Sequence, residues 1–91
     1  MKAQYFVEMT DTYGGEANYS WVNRFLVTAS SFQGAISKVT HKTGYHARKV
    51  MDCGDMAQYN VPGACITYFV NWTDEAERER LVTYYTNLEV I

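Results

Sequence analysis

The most apolar stretch of the chain runs from residue 64 to residue 72 and reads ACITYFVNW. It is rich in the β-branched and aromatic residues that favour strands, and its apolar residues fall on both faces of an extended chain. Such a strand belongs in the interior of a sheet, with a helix covering one side. The preceding Pro62 and Gly63 fit the two corner positions of a type II turn. The sequence therefore predicts a central strand at 64–72 that is entered through a tight turn.

Two segments near the N-terminus predict a β-hairpin. Residues 3–9 alternate between apolar and polar positions, and residues 19–28 alternate again. Residues 11–18, which separate them, contain the Asp, Gly and Asn residues typical of turns. We expect two antiparallel strands joined by a long, exposed connection, in which Gly14 and Gly15 supply backbone freedom.

A helix is expected to follow this hairpin, beginning at Ser30 or Ser31. Ser30 and Gln33 have the spacing of a capping box, in which each side chain bonds the backbone N–H of the other residue. Gly44 is a natural left-handed stop for such a helix. The apolar residues between these ends recur at intervals of three and four, which predicts one buried face; they are Phe32, Ala35, Ile36 and Val39.

The C-terminal segment fits two alternatives. Asp74 and Glu77 have the spacing of a helix cap, and the apolar residues that follow recur with helical spacing at Leu81, Tyr84, Tyr85 and Leu88. The run from Val82 to Thr86 instead has the composition of a strand. We expect a helix over residues 74–87.

Short strands are also expected at residues 46–52 and 56–61, on either side of a turn. The element order is then ββαβββα in a single domain that spans residues 1–91. This order predicts an α+β fold, a small antiparallel sheet of four to five strands with one or two helices packed on it. The expected core consists of Tyr5, Val7, Phe25, Val27, Ile36, Val39, Ile66, Tyr68 and Val70.

The distribution of apolar residues limits where in the cell the protein is expected. No apolar run approaches the roughly 20 residues that a membrane span needs. The N-terminal residues alternate and lack the unbroken apolar stretch of a secretion signal. We therefore expect a cytoplasmic protein without membrane contact, in which both cysteines are reduced. Cys65 lies on the most apolar strand and is expected in the core, whereas Cys53 lies in a turn and is expected at the surface.

No combination of residues predicts catalysis. A Cys–His nucleophilic pair needs a third group to orient it, and none is evident in the sequence. The spacings between the two histidines and between the two cysteines match no common zinc pattern. The Gly14-Gly15 pair is not followed by the residues of a phosphate-binding loop. We therefore expect a protein that is not an enzyme and that has no metal or cofactor.

The remaining function is binding to another macromolecule, and the partner is either a protein or a nucleic acid. A protein partner would contact the aromatic and acidic residues of two connections, namely Tyr13, Glu16, Tyr19, Trp21, Asp52 and Asp55. A nucleic acid would contact the basic segment 38–49 through Lys38, Lys42, Arg48 and Lys49. The formal net charge of −2 favours the protein partner. Homodimerisation through the aromatic strand at residues 19–28 is also compatible with the pattern, because an unpaired strand edge favours pairing with a second chain. Trp21 and Trp72 fit either the core or an interface.

The run GGEANYSWVNRF at residues 14–25, followed by ASSFQGAISKV, DCGDMAQY and GAC, resembles small proteins encoded by phages and prophages. The resemblance covers residues 3–66, and its most specific part is GGEANYSW. The size and element order are also similar to those of several anti-CRISPR proteins. The resemblance implies a non-enzymatic inhibitor that acts in the host cytoplasm by binding a host defence protein, a component of a CRISPR–Cas complex. The alternative function is a small nucleic-acid-binding regulator that uses residues 38–49.

Overall fold

A computed structural model describes residues 2–13 and 16–91. Within these residues, six strands form one sheet in the order β3-β4-β5-β1-β2-β6, and two helices pack on it. All neighbouring strands are antiparallel except β2 and β6, which are parallel. The α+β class is confirmed. The elements are β1 (Ala3–Tyr13), β2 (Glu16–Ala29), α1 (Phe32–Thr43), β3 (Arg48–Asp52), β4 (Met56–Asn60), β5 (Ile66–Thr73), α2 (Glu75–Tyr84) and β6 (Glu89–Val90).

The hairpin of β1 and β2 is longer than its alternating pattern predicts. The two strands pair from Ala3 opposite Ala29 to Tyr13 opposite Glu16, so they include most of the residues expected in an exposed connection. Gly14 and Gly15, for which we expected backbone freedom, lie outside the described residues. The expectation of a long loop is wrong because the turn-forming residues on both sides of these glycines make a β-bulge within the hairpin.

One face of the sheet carries the main core beneath α1. Alternate residues of β1, β2 and β5 point to this face, and α1 contacts all three strands. The apolar stripe of α1 is buried there, as its periodicity predicts. Every expected core residue is buried except Ile66, which is partly exposed and packs against the core. The central position expected for β5 is confirmed, since β5 lies between β4 and β1.

The ends of α1 differ in one detail from the sequence prediction. The cap is Ser31, whose hydroxyl Oγ accepts a hydrogen bond of 3.0 Å from the backbone N–H of Gly34. The expected capping box between Ser30 and Gln33 is therefore wrong by one residue. The predicted stop is confirmed, because Gly44 has a φ of 81° and its N–H donates to the carbonyl of Thr40.

The other face of the sheet is covered more thinly, by α2 and the residue that follows it. Phe6 and Leu26 are buried on this face, where the ring of Tyr85 stacks on Phe6 at a centroid distance of 5.7 Å. The guanidinium of Arg24 lies 4.1 Å from the centre of the Tyr85 ring and also pairs with Glu8. No residue of α2 is buried among the described residues, and Glu77, Arg78 and Leu81 are partly buried.

The C-terminal segment corrects two expectations. The helix begins as predicted, with the Asp74 carboxylate accepting a bond of 2.8 Å from the N–H of Glu77, but it ends at Tyr84 rather than at residue 87. The chain then turns and adds the two-residue strand β6 beside β2, where the N–H of Ile91 donates to the carbonyl of Leu26. The sheet is therefore mixed, with one strand more than expected. Neither helix in the described part of the chain is long and apolar enough to cross a membrane.

Candidate protein-binding surface

Large aromatic side chains are exposed at the outer end of the β1–β2 hairpin. Tyr13 is 83% exposed, Tyr19 is 51% exposed and Trp21 is 40% exposed. Glu16, at the start of β2, is exposed beside them in the strand register. We call these four residues the aromatic tip. Its rings do not belong to the buried cluster beneath α1, so the core is complete without them.

A β-bulge in which four residues of β2 lie opposite one residue of β1 positions the rings of the aromatic tip. Thr10 pairs with Val22, and Thr12 pairs with Ala17, so residues 18–21 of β2 face only Asp11 on β1. A bulge of this kind bends the strand and redirects side chains that a regular strand would alternate. The bulge therefore determines where the side chains of Tyr19 and Trp21 project from the hairpin.

Two side chains of β1 hold the bulge in place. The Asp11 carboxylate accepts hydrogen bonds from the backbone N–H of Ser20 at 2.9 Å, from the Ser20 hydroxyl and from the Asn18 amide at 3.2 Å. The buried hydroxyl of Thr10 accepts from the N–H of Tyr19 at 3.1 Å and donates to the carbonyl of Trp21 at 3.1 Å. The backbone groups freed by the bulge thus find partners on the opposite strand.

The charge on Asp11 is stabilised by the same contacts. The hydrogen bond from the Ser20 hydroxyl is the largest cause, and together with the bonds from Asn18 and the Ser20 N–H it lowers the pKa of Asp11 from 3.8 to about 2. Hydrogen bonds to the charged form of a carboxyl favour that form. Asp11 therefore remains a carboxylate, and an acceptor for the bulge, throughout the neutral and mildly acidic range.

Tyr19 has an unusual backbone conformation. Its φ is 54°, in the left-handed region that residues other than glycine rarely occupy. Such a conformation costs on the order of 1–3 kcal/mol and persists where the surrounding contacts enforce it. Here the Thr10 hydroxyl binds the Tyr19 N–H, and the Tyr19 ring stacks on Phe69 at a centroid distance of 6.4 Å. The ring is thus held in place and stays half exposed.

The two acids expected to share this surface lie at the other end of the sheet. The N–H of Trp72, near the end of β5, donates to the carbonyl of Asp55, whereas the hairpin tip lies where the N–H of Thr12 donates to the carbonyl of Cys65. β5 runs between these two points, so its length separates Asp52 and Asp55 from the aromatic tip. Trp72, itself 47% exposed, lies at the end where Asp55 is found.

Asp52 has a local structural role in the turn between β3 and β4. Its carboxylate accepts from the N–H of Gly54 at 3.0 Å and from the Lys49 ammonium at 3.2 Å. The Gly54 N–H is the main cause, with Lys49 second, of the lowered pKa of Asp52. These contacts explain why an acid occupies this position without requiring a partner.

The basic segment 38–49 is largely engaged in local contacts. The Lys38 ammonium donates to the carbonyl of Thr28 at 2.6 Å, Lys42 forms an ion pair with Glu89, and Lys49 pairs with Asp52. Arg48 is exposed on β3 and takes part in none of the salt bridges found among the described residues. The four cations therefore do not form a continuous set of uncommitted charges.

Among the described residues, neither cysteine belongs to a group of side chains that would hold a metal ion. Cys53 is exposed in a turn, as expected. Cys65 is also exposed, so its predicted place in the core is wrong: β5 begins at Ile66, and Cys65 still belongs to the turn before it. Residues 2–13 and 16–91 contain no group of three His, Cys, Asp or Glu side chains arranged to hold a metal ion.

Sequence reasoning missed three residues that shape the aromatic tip. Thr10, Asp11 and Phe69 position Tyr19, yet each fits an ordinary strand or turn when the sequence is considered alone. The only signal is the presence of Asp11 and Asn18 on either side of the glycines, a composition that also fits a plain loop. The contacts across the hairpin depend on a register that local composition does not specify.

Comparison with protein-family models, curated proteins and solved structures finds no match for this chain.

Proposed function

We propose that this chain is a non-enzymatic binding protein that docks on a larger protein through its aromatic tip. The observation that carries the proposal is the exposure of Tyr13, Tyr19 and Trp21 on one hairpin, in which contacts of Thr10 and Asp11 fix the backbone at Tyr19 and Trp21. Tyrosine and tryptophan are the usual anchors of protein interfaces. Anchors that are already ordered lose little conformational entropy on binding, which increases affinity.

The proposed target is a host defence protein, a component of a CRISPR–Cas complex, and the proposed site of action is the host cytoplasm. This target class rests on the resemblance of the GGEANYSW run to phage-encoded proteins and on the similarity in size and element order to anti-CRISPR proteins. Residues 18–21 of that run form the bulged part of the hairpin. The tip also contains an exposed acid, Glu16. A carboxylate among aromatic rings suits the basic surfaces with which nucleic-acid-binding complexes hold phosphates.

A nucleic acid is the weaker candidate for the partner. Three of the four cations in the basic segment already contact Thr28, Glu89 or Asp52. Affinity for nucleic acid depends on cations that neutralise phosphates and release counterions. The local contacts reduce the number of cations that do so.

A plaque assay tests the proposal directly. Phage that carry this gene are expected to form more plaques than phage without it on a host with CRISPR immunity, and Tyr13→Ala is expected to reduce that advantage. Tyr84→Ala is the matched control, because Tyr84 is 78% exposed on α2, away from the tip. Loss of an aromatic anchor typically costs about 2 kcal/mol of binding, which is roughly a thirtyfold change in affinity. Equal effects of the two substitutions would contradict the assignment of the tip.

Trp21 gives a second comparison. Trp21→Ala is expected to weaken inhibition more than Lys42→Ala, since Lys42 is engaged by Glu89. Circular dichroism of both variants separates loss of binding from loss of folding. Unchanged Cas activity in the presence of the folded wild-type protein, together with no host protein recovered on immobilised wild-type chain, would refute the proposed function.

A further inference from the structure

The edge strand β3 is fully exposed. It pairs with β4 on one side, and it is the first strand in the sheet order, so its other side faces solvent within the described sheet. All five of its residues are exposed, including the apolar Val50 at 53% and Met51 at 40%. An edge of this kind presents backbone donors and acceptors to another chain.

The register of β3 against β4 shows which of its side chains share a face. Lys49 pairs with Tyr59, and Asp52 pairs with Ala57. Both partners belong to the core beneath α1, and paired residues of antiparallel strands point to the same face. Lys49 and Asp52 therefore lie on one face, although three positions separate them, because a bulge at Val50 shifts the register. Their ion pair of 3.2 Å agrees with this placement.

This arrangement makes the edge complementary to itself. We propose that a second copy of this chain pairs antiparallel with β3, about a two-fold axis between Val50 and Met51. Lys49 of each copy then lies opposite Asp52 of the other, and Val50 lies opposite Met51. The two charge pairs fall on matching faces, as antiparallel pairing requires, and the exposed Val50 and Met51 of both copies lie at the centre of the interface.

The dimer leaves the aromatic tip accessible. β4, β5 and β1 lie between β3 and β2, so the two tips lie away from the shared edge. Two tips on one particle bind a target with repeated sites more tightly than a single tip does. A five-residue edge buries less surface than a stable interface of about 1,200 Å² or more, so the association is expected to be weak and concentration-dependent.

A charge exchange across the edge tests the proposal without any partner protein. Lys49→Glu places two acids opposite each other at both ends of the interface, and Asp52→Lys places two cations there. In sedimentation equilibrium at concentrations up to about 1 mM, the wild-type chain is expected to dimerise and each variant to self-associate roughly tenfold more weakly. An equimolar mixture of the two variants is expected to form a heterodimer, because each acid then faces a cation.

Matched controls carry the same charge changes on α2. Arg80→Glu and Glu79→Lys alter exposed residues away from β3 and are expected to leave dimerisation unchanged. Both variants also lose the ion pair between Lys49 and Asp52 of the same chain, and Asp52→Lys loses the contact with the Gly54 N–H, so circular dichroism must show both variants folded before they are used. Amide hydrogen exchange gives an independent measure: β3 amides of the wild type are expected to exchange more slowly as concentration rises. A wild-type monomer at every concentration, or single variants that dimerise as well as the wild type, would overturn the proposal.

Discussion

At the scale of single residues, two short polar side chains determine where the largest rings of the hairpin stand. Thr10 and Asp11 bond the backbone of residues 19–21 on the opposite strand and hold Tyr19 in a left-handed conformation. The rings themselves contribute little to the main core. The strained conformation of Tyr19 therefore places an exposed ring and does not complete the core.

The pKa of Asp11 predicts a pH dependence of stability. A carboxyl whose pKa falls from 3.8 in the unfolded chain to about 2 in the folded chain stabilises the fold above the unfolded value. This stabilisation declines as the pH falls below 3.8 and is lost near the folded value. We expect Asp11→Asn to lower Tm at about pH 5, and the difference from wild type to disappear towards about pH 2, as measured by thermal melts.

Two comparisons isolate the contribution of Asp11. Asp52 also has a lowered pKa, so Asp52→Asn is also expected to lower Tm, by an amount that decreases as the pH falls. The double variant separates the contributions of the two carboxyls to Tm. Asp55→Asn serves as the control, since the backbone carbonyl of Asp55, rather than its carboxylate, bonds Trp72. A Tm difference for Asp11→Asn that persists unchanged at the acidic limit would show that lost geometry, and not lost charge, is responsible.

At the scale of elements, the cap of α1 gives a test with a built-in control. The Ser31 hydroxyl bonds the N–H of Gly34, whereas the hydroxyl of Ser30 has no such role in the cap. We expect Ser31→Ala to reduce the free energy of unfolding by about 1 kcal/mol and Ser30→Ala to change it by only a few tenths. Chemical denaturation measures both. A larger loss of unfolding free energy for Ser30→Ala than for Ser31→Ala would instead support the capping box that the sequence spacing predicts.

The elements that the sequence predicts well are those whose pattern is local. The alternation around Tyr5 and Val7, and the helical spacing of Ile36 and Val39, follow from burial of one face and need no knowledge of the neighbouring strand. The bulge opposite Asp11 depends on the hairpin register instead. β6 has two residues, too few for any periodicity, and its pairing with β2 is possible only because α2 ends at Tyr84.

The candidate site is predictable in part for the same reason. Tyr13, Tyr19 and Trp21 lie close together in sequence on one hairpin, so their spacing alone groups them on one surface. Asp52 joins that group in the sequence prediction by residue type alone. Strand order and direction decide which connections meet at one end of a sheet, and these place the β3–β4 turn at the end opposite the hairpin tip. This placement depends on the tertiary structure, so local sequence patterns do not predict it.

At the scale of the whole molecule, stability is unevenly divided between the two faces of the sheet. The α1 face contains a continuous buried cluster drawn from β1, β2, β4, β5 and α1. On the α2 face, the buried residues are Phe6 and Leu26, and the ring of Tyr85 stacks on Phe6. An apolar groove of about 840 Å³ runs along α2 and is lined by residues of that helix and by Tyr85. Elements with few buried contacts open at lower free energy than the global unfolding transition.

Native-state hydrogen exchange is therefore expected to divide the molecule into two parts. Amides of the central strands β1 and β5 should exchange only through global unfolding, and those of α2 and β6 should exchange through a lower-energy local opening. Tyr85→Leu removes the stack on Phe6 and the contact with Arg24, so it should accelerate exchange in α2 and β6 while β1 changes less. Tyr13→Leu is the control, because Tyr13 is 83% exposed on β1 and lies outside α2 and β6. If α2 amides exchanged as slowly as those of β1, or if Tyr85→Leu accelerated both regions equally, the two faces would unfold as one cooperative unit and the uneven division of stability would be refuted.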